Sequence, residues 1–359
     1  MKKKILAALA AGLIALGSFN VSNAASREEI AAINVQTASD FQFWNDNSPT
    51  KQKIIEFVED VTNPRSSNYI PPEDRVATFD MDGTFYCETA PIYFQEAMFL
   101  HRVLEDKNYT APKKFLNLAK KIKPKVFAKE KLTPAESKLY IEGLTAVYAG
   151  MTDEEYRAYV RDFMNDNEYG LTNLKRGEAF YLPMVEIISY LTNNGFNVYI
   201  DSACGVSTTR ELVNGVIPIQ FDRIVATDFV YTSTGITGKD NPHDHFFDRH
   251  KEKIVISGKP FTDNAKTIKI FSILNQIGKK PVLAFGNSSG DSGMLEYTLQ
   301  NNKYRSMSFF VICDDTVREL GNPARAKSDT ELALKRGWNP ISMRDEFKTI
   351  YGDNVRRNI

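Results

Sequence analysis

The sequence predicts an α/β fold: a Rossmann-like, doubly wound parallel sheet as the core, with an inserted α-helical cap. Three observations predict it. Four short apolar runs, at 76–79, 198–200, 282–285 and 309–312, read as strands buried on both faces. Helical patterns such as 178–193 and 264–277 separate them, and strands alternating with helices imply a parallel sheet covered on both sides. Far more chain separates the first run from the second than a simple crossover needs, and that stretch is helical in pattern.

Taken in order, the chain opens with Lys2, Lys3 and Lys4, an apolar run from Ile5 to Leu16, and small polar residues ending at Ser22-Asn23-Ala24. This is the pattern of a secretory signal peptide, 1–24. The run is shorter than the roughly 20 apolar residues a bilayer span takes, and no Cys follows it for a lipid anchor. The expectation is therefore export, to the periplasm or outside the cell. Residues 25–87 and 178–359 are assigned to the core, the first part beginning as a helical lead-in. The cap is assigned to 88–177, with helices expected at 93–104, 134–149 and 153–165. The last of these opens with Thr152 as cap and Glu155 in capping-box spacing. A small hairpin is expected within 229–238.

Composition bounds the partners. Hydrophobic residues make up 42% and charged residues 25%, enough apolar surface for a real core. Without residues 1–24 the chain carries 42 basic and 45 acidic residues, a formal charge of −3. Nothing polybasic argues for nucleic acid or an anionic membrane, and no later stretch is apolar enough for stable membrane insertion. The expected partner is a small molecule. Three cysteines, Cys87, Cys204 and Cys313, make no disulfide framework. Cys313 reads as a core residue, and Cys87 and Cys204, each just past a strand, are a possible pair.

In parallel sheets ligands bind beyond the carboxyl ends of the strands. The polar tips there are Asp80-Met81-Asp82-Gly83-Thr84, Asp201-Ser202, Gly286-Asn287-Ser288 and Asp314-Asp315, and all are expected to converge. Two aspartates two residues apart, followed by Gly, place two carboxylates near one point. One can attack phosphorus, and the other can protonate a leaving oxygen and later take a proton from water. Such a pair needs a cation, and Mg2+ with its oxygen ligands fits.

The run Phe79-Asp80-Met81-Asp82-Gly83-Thr84 resembles the first motif of the haloacid dehalogenase superfamily of phosphatases. The resemblance implies Asp80 as nucleophile and Asp82 as general acid/base, whose main-chain carbonyl also binds Mg2+. It implies Ser202 as the phosphate-binding second motif and a lysine, Lys269 or Lys266, as the third, with Lys259 a more distant candidate. It implies Gly286-Asn287-Ser288-Ser289-Gly290-Asp291 as the fourth, with Asp80, Asp82, Asn287 and Asp291 about the metal. Asn287 stands where the family pattern has Asp, so it brings an oxygen but no charge. Arg210 is expected to meet a substrate anion. A cap between the first two motifs resembles the phosphoserine phosphatase-like branch. There Glu88 would contact an amino group of the substrate, as in phosphoserine or phosphocholine. The function implied is Mg2+-dependent phosphomonoester hydrolysis through an aspartyl-phosphate, the alternatives being phosphotransfer to an alcohol or ligand binding without catalysis. The cluster Asn241-Pro242-His243-Asp244-His245, with Asp248 and His250, has metal-ligand residue types but no zinc spacing, and reads as an exposed loop.

Overall fold

The structure, a computed structural model, describes residues 23–88, 92–238, 241–261 and 268–359. Most of the expected signal peptide lies outside the described residues, as does Lys266. The described chain is tied down as soon as it leaves Ala24. The Ala25 N–H donates to the carbonyl of Tyr351 at 2.8 Å, and Ser26 and Glu29 form a capping box at the start of α1 (Arg27–Ala31).

The core is a six-stranded sheet in the order β3-β2-β1-β6-β7-β8, parallel throughout. Its strands are β1 (Val76–Phe79), β2 (Asn197–Gly205), β3 (Ile224–Thr227), β6 (Leu283–Gly286), β7 (Met307–Ile312) and β8 (Asn339–Ser342). A separate ribbon pairs β4 (Tyr231–Ser233) with β5 (Ile254–Ile256). Every residue of β1, β3 and β6 is buried, which is why continuous apolar runs, not alternating ones, mark this sheet. Phe79, Phe285 and Phe309 are register partners on β1, β6 and β7. Their rings stack at 4.2 and 4.9 Å between centroids, locking together the strands whose tips carry Asp80 and Asn287.

From β1 the chain winds outward to β2 and β3, and from β6 outward the other way. The reversal lies between β1 and β6, which is where a crevice opens in a doubly wound sheet. On the faces lie α2 (Pro49–Thr62), α7 (Leu182–Asn193), α8 (Val206–Val213), α9 (Ile268–Ser272), α10 (Ser292–Leu299) and α11 (Pro323–Arg336), with the short α12 (Met343–Glu346) after β8. Proline at the start of α2 and α11, after the caps Ser48 and Asn322, fixes where those helices begin.

Between β1 and β2 run α3 (Phe94–Leu104), α4 (Lys113–Phe127), α5 (Pro134–Ala146) and α6 (Asp153–Phe163). The Thr152–Glu155 capping box forms at α6, and Thr133 with Glu136 makes another at α5. Among the described residues, no helix is long and apolar enough to cross a membrane.

Three expectations are corrected. The 229–238 segment is not a local hairpin: its strand β4 pairs with β5, some twenty residues further along the chain. Cys87, Cys204 and Cys313 are all thiols, and Cys313 is only partly buried. The tip of β7 does not join the others. Asp314 accepts from the Ser342 hydroxyl at 2.5 Å and the Arg344 N–H at 2.9 Å, and Asp315 caps the turn at Val317 and Arg318. Lying one strand further from the reversal, this tip serves the turn into α12.

Candidate active site

The pocket at the β1/β6 crevice has a volume of about 340 Å3 and is lined by the tips of β1, β2 and β6, by α9, and by Tyr93, Gln95 and Tyr140 from the β1–β2 insertion. Asp80, Asp82, Ser202, Lys269, Asn287, Asp291 and Glu88 all line it. Asp80 directly follows β1, and its N–H donates to the carbonyl of Phe285 at 2.9 Å, so the strand ladder itself fixes the position of its backbone.

Lys269 sits at the centre. Its Nζ donates to Asp80 Oδ1 at 2.9 Å and to Asp291 Oδ1 at 2.6 Å, and all three side chains are buried. The neighbouring Asp80, Asp291 and Asp201 charges hold the ammonium well above the ordinary lysine range despite its burial. Asp291 is locked as an acceptor. Its Oδ2 takes the N–H groups of Asn287 and Ser288 at 3.0 and 2.8 Å and the Ser288 hydroxyl at 3.0 Å. Although burial pushes the other way, Lys269 and these donors hold its carboxyl below the usual range. Gly286 makes this close approach possible, since a Cβ there would lie 2.5 Å from the Cβ of Asp291.

The two aspartates of the first motif differ in environment. Burial and the charge of Asp291 raise Asp80 to about 7, with Lys269 opposing. Burial, then the charges of Asp80 and Glu88, push Asp82 well above the carboxylate range. Both carboxyls are pushed toward the neutral acid, and of the two it is Asp80 that accepts a hydrogen bond from the Lys269 ammonium. At the tip of β2, the Ser202 hydroxyl oxygen accepts from the Cys204 N–H at 3.1 Å.

The site holds more acid than base. Asp80, Glu88, Asp201 and Asp291 are buried and Asp82 is half-buried, around the one buried lysine among the described residues. Asp82 Oδ1, Asn287 Oδ1 and both oxygens of Asp201 are buried with no hydrogen-bond partner. Orphaned oxygens of this kind carry a large desolvation cost, and a hard cation is the group they suit. Among the described residues, no three His, Cys, Asp or Glu side chains form a metal cage. The fit here is to a mixed set, in which Asp80, Asn287 Oδ1 and the main-chain carbonyl of Asp82 would hold Mg2+.

Several predicted residues sit elsewhere or act otherwise. Arg210 does not line the pocket. It lies in the second turn of α8, and its Nε donates to the carbonyl of Phe221 at 3.3 Å. Asp291 lines the pocket with both oxygens engaged, Oδ1 by Lys269 and Oδ2 by the Asn287–Ser288 turn. Glu88 lines the pocket, but Oε2 accepts from Asn287 Nδ2 at 2.9 Å and Oε1 from the Tyr93 hydroxyl at 3.2 Å. Lys259 is exposed. In the histidine loop, His245 pairs with Glu252 at 2.6 Å.

The sequence reading placed Asp201 at a strand tip expected to converge on the site but gave it no role, and it missed Tyr93, Gln95 and Tyr140 altogether. Asp201 had a signal, a carboxylate inside an apolar strand just before Ser202. The other three had none, since only the packing of α3 and α5 brings them to the pocket.

No protein-family profile matches the chain, and no curated protein matches it. Solved structures do. A conserved protein of unknown function from Anaerococcus prevotii shares 12% identity at a TM-score of 0.48, over 90% of this chain and 98% of that one. Cytosolic 5'-nucleotidase IIIB bound to cytidine shares 12% at 0.41, over 83% and 88%. A phosphoserine phosphohydrolase-like protein from Francisella tularensis shares 13% at 0.36, over 66% and 87%.

Proposed function

We propose that this chain is an exported, Mg2+-dependent phosphomonoesterase of the haloacid dehalogenase type. The observation that carries the proposal is Lys269 bridging Asp80 and Asp291 at 2.9 and 2.6 Å, with Asp82 lining the same pocket, at the reversal of the sheet.

In this reading the Asp80 carboxylate attacks phosphorus. A bond forms between Asp80 and phosphorus as the bond to the leaving oxygen breaks, and Asp82 gives that oxygen its proton. Asp82, now a carboxylate, takes a proton from water. The resulting hydroxide attacks phosphorus, releasing phosphate and restoring Asp80. Lys269 holds Asp80 in place and, with Ser202, faces the equatorial oxygens, where charge is spread in the transition state. The bound cation supplies further charge neutralisation there. Tyr93, Tyr140 and Gln95 would meet the leaving group. Gln95 is anchored for this, its Oε1 accepting from the Gly205 N–H at 3.1 Å. With Glu88 engaged by Asn287, the two tyrosines favour a small leaving group with an apolar or aromatic part.

The test is phosphate release from a panel of monoesters, amine-bearing ones such as phosphoserine and phosphocholine included, by wild type and Asp80→Asn with and without Mg2+. Release that needs Mg2+ and falls at least ~10^3-fold in the variant is expected. A folded wild type that releases no phosphate from any ester, or a variant that keeps its rate, overturns the proposal. Phosphate appearing on an added alcohol instead of free would mark a phosphotransferase. Cleavage of the leader is checked separately, by the mass of the secreted chain.

A further inference from the structure

Asn287 stands where the resemblance leads one to expect a carboxylate, and the structure provides a carboxylate beside it. Glu88 Oε2 accepts from Asn287 Nδ2 at 2.9 Å, and both side chains are buried. A carboxylate can only accept, so the amide must turn its NH2 to Glu88 and its oxygen the other way. That oxygen, Oδ1, is buried and has no hydrogen-bond partner. Glu88 is itself held from behind, by the Tyr93 hydroxyl at 3.2 Å and the Arg325 guanidinium at 3.6 Å, both on Oε1. Gly83, at φ +80°, keeps the space open: a Cβ there would lie 2.0 Å from Asn287 Nδ2 and 2.8 Å from Glu88 Oε2.

We propose that Glu88 is a positioning residue: it fixes the Asn287 amide with Oδ1 toward the cation position. The proposal rests on the phosphatase reading above and assigns Glu88 a different task from contact with a substrate amine. Carboxylates that orient a metal ligand from behind are worth 10–100-fold in metal affinity. Arg325 and Tyr93 hold Glu88 in the one orientation that keeps Oε2 on the amide.

The experiment is Mg2+ binding to the mature chain by calorimetry, without substrate, for wild type, Glu88→Ala, Glu88→Gln, Asn287→Ala and the double variant Glu88→Ala/Asn287→Ala. Glu88→Ala should weaken Mg2+ about 10-fold or more. Glu88→Gln keeps an acceptor for the amide and should weaken it less. In the Asn287→Ala background, removing Glu88 should change Kd by less than about twofold, because Glu88 acts through the amide. Wild type that binds Mg2+ with a Kd unchanged in Glu88→Ala overturns this proposal alone, as does an equal loss with and without Asn287. Wild type that binds no Mg2+ overturns the functional reading and this one with it. Should Glu88→Ala fail to fold by circular dichroism, Glu88→Gln carries the comparison: a Kd within about twofold of wild type together with full loss in Asn287→Ala supports positioning by the acceptor oxygen, and a loss as large as that of Asn287→Ala overturns it.

Discussion

Two groups of buried carboxylates in this chain solve the same problem in opposite ways. At the strand tips, Asp80 and Asp201 are buried and Asp82 half-buried beside Lys269, and oxygens of Asp82 and Asp201 lack partners. Elsewhere in the core, Glu186 and Glu346 are as deeply buried but fully engaged. Glu186 accepts the N–H groups of Gln42 and Phe43 at 2.6 and 3.1 Å. Glu346 accepts the Ser48 hydroxyl at 2.6 Å, the Thr50 N–H and hydroxyl at 2.9 and 3.1 Å, and the Ser342 N–H at 3.2 Å. Burial alone therefore does not mark a catalytic acid. The mark is burial with oxygens left for something that is not protein, at the mouth of a pocket.

The contrast breaks most sharply at Lys269. Replacing it by Met leaves Asp80 and Asp291 facing each other without their cation. Phosphate release should fall at least ~10^3-fold, and stability should drop by about 3 kcal/mol as a buried ion pair loses one partner. Asp80→Asn should lose activity as fully but melt no lower than wild type, because it removes one charge from an acidic surplus. Thermal melts of the two variants at one pH decide this. Equal losses of stability in both would mean that the strand-tip acids are structural after all.

On the other side the expected pattern is inverted. Glu346→Ala strands donors at Ser48, Thr50 and Ser342, which ties α2 and β8 less firmly to α12. It should cost about 3 kcal/mol while kcat, measured below the melting transition, stays within about twofold of wild type. A large drop in kcat at full foldedness would erase the distinction between the two groups.

How much of this was legible follows from the same physics. The strand tips could be read because one short stretch of chain carries both the apolar run and its polar end: 76–79 with Asp80 and Asp82, 282–285 with Asn287. Lys269 was legible only as one of several helix lysines, since nothing local records that its Nζ lies between Asp80 and Asp291. β8 was missed because only Ile341 of its four residues is buried, so it carries no apolar run, and β3, no shorter than β1, was passed over although Ile224-Val225-Ala226 is apolar. Tyr93 and Tyr140 depend on how α3 and α5 pack over the sheet, and Arg210 was misplaced because spacing along α8 does not say which side of the helix faces the pocket. The acceptor roles of Glu186 and Glu346 join segments far apart in sequence, 42–43 with 186 and 48–50 with 346, so no window of the sequence contains them.

The smallest expected effect tests how complete the engagement of Glu186 is. Burial raises its carboxyl to about 8, against the two backbone N–H groups that favour the anion. Between about 4.5 and 8 the folded chain then holds a proton that the unfolded chain has lost, so this residue's contribution to stability declines as pH rises through that window. Glu186→Gln mimics the protonated acid and cannot ionise. It should match wild type near pH 5.5, be the more stable of the two by a few degrees in Tm near pH 8, and show the flatter dependence between them. If the two amides outweigh burial, the variant melts below wild type at both pH values, and Glu186 is then held as firmly in its charged form as Asp291 is by Lys269.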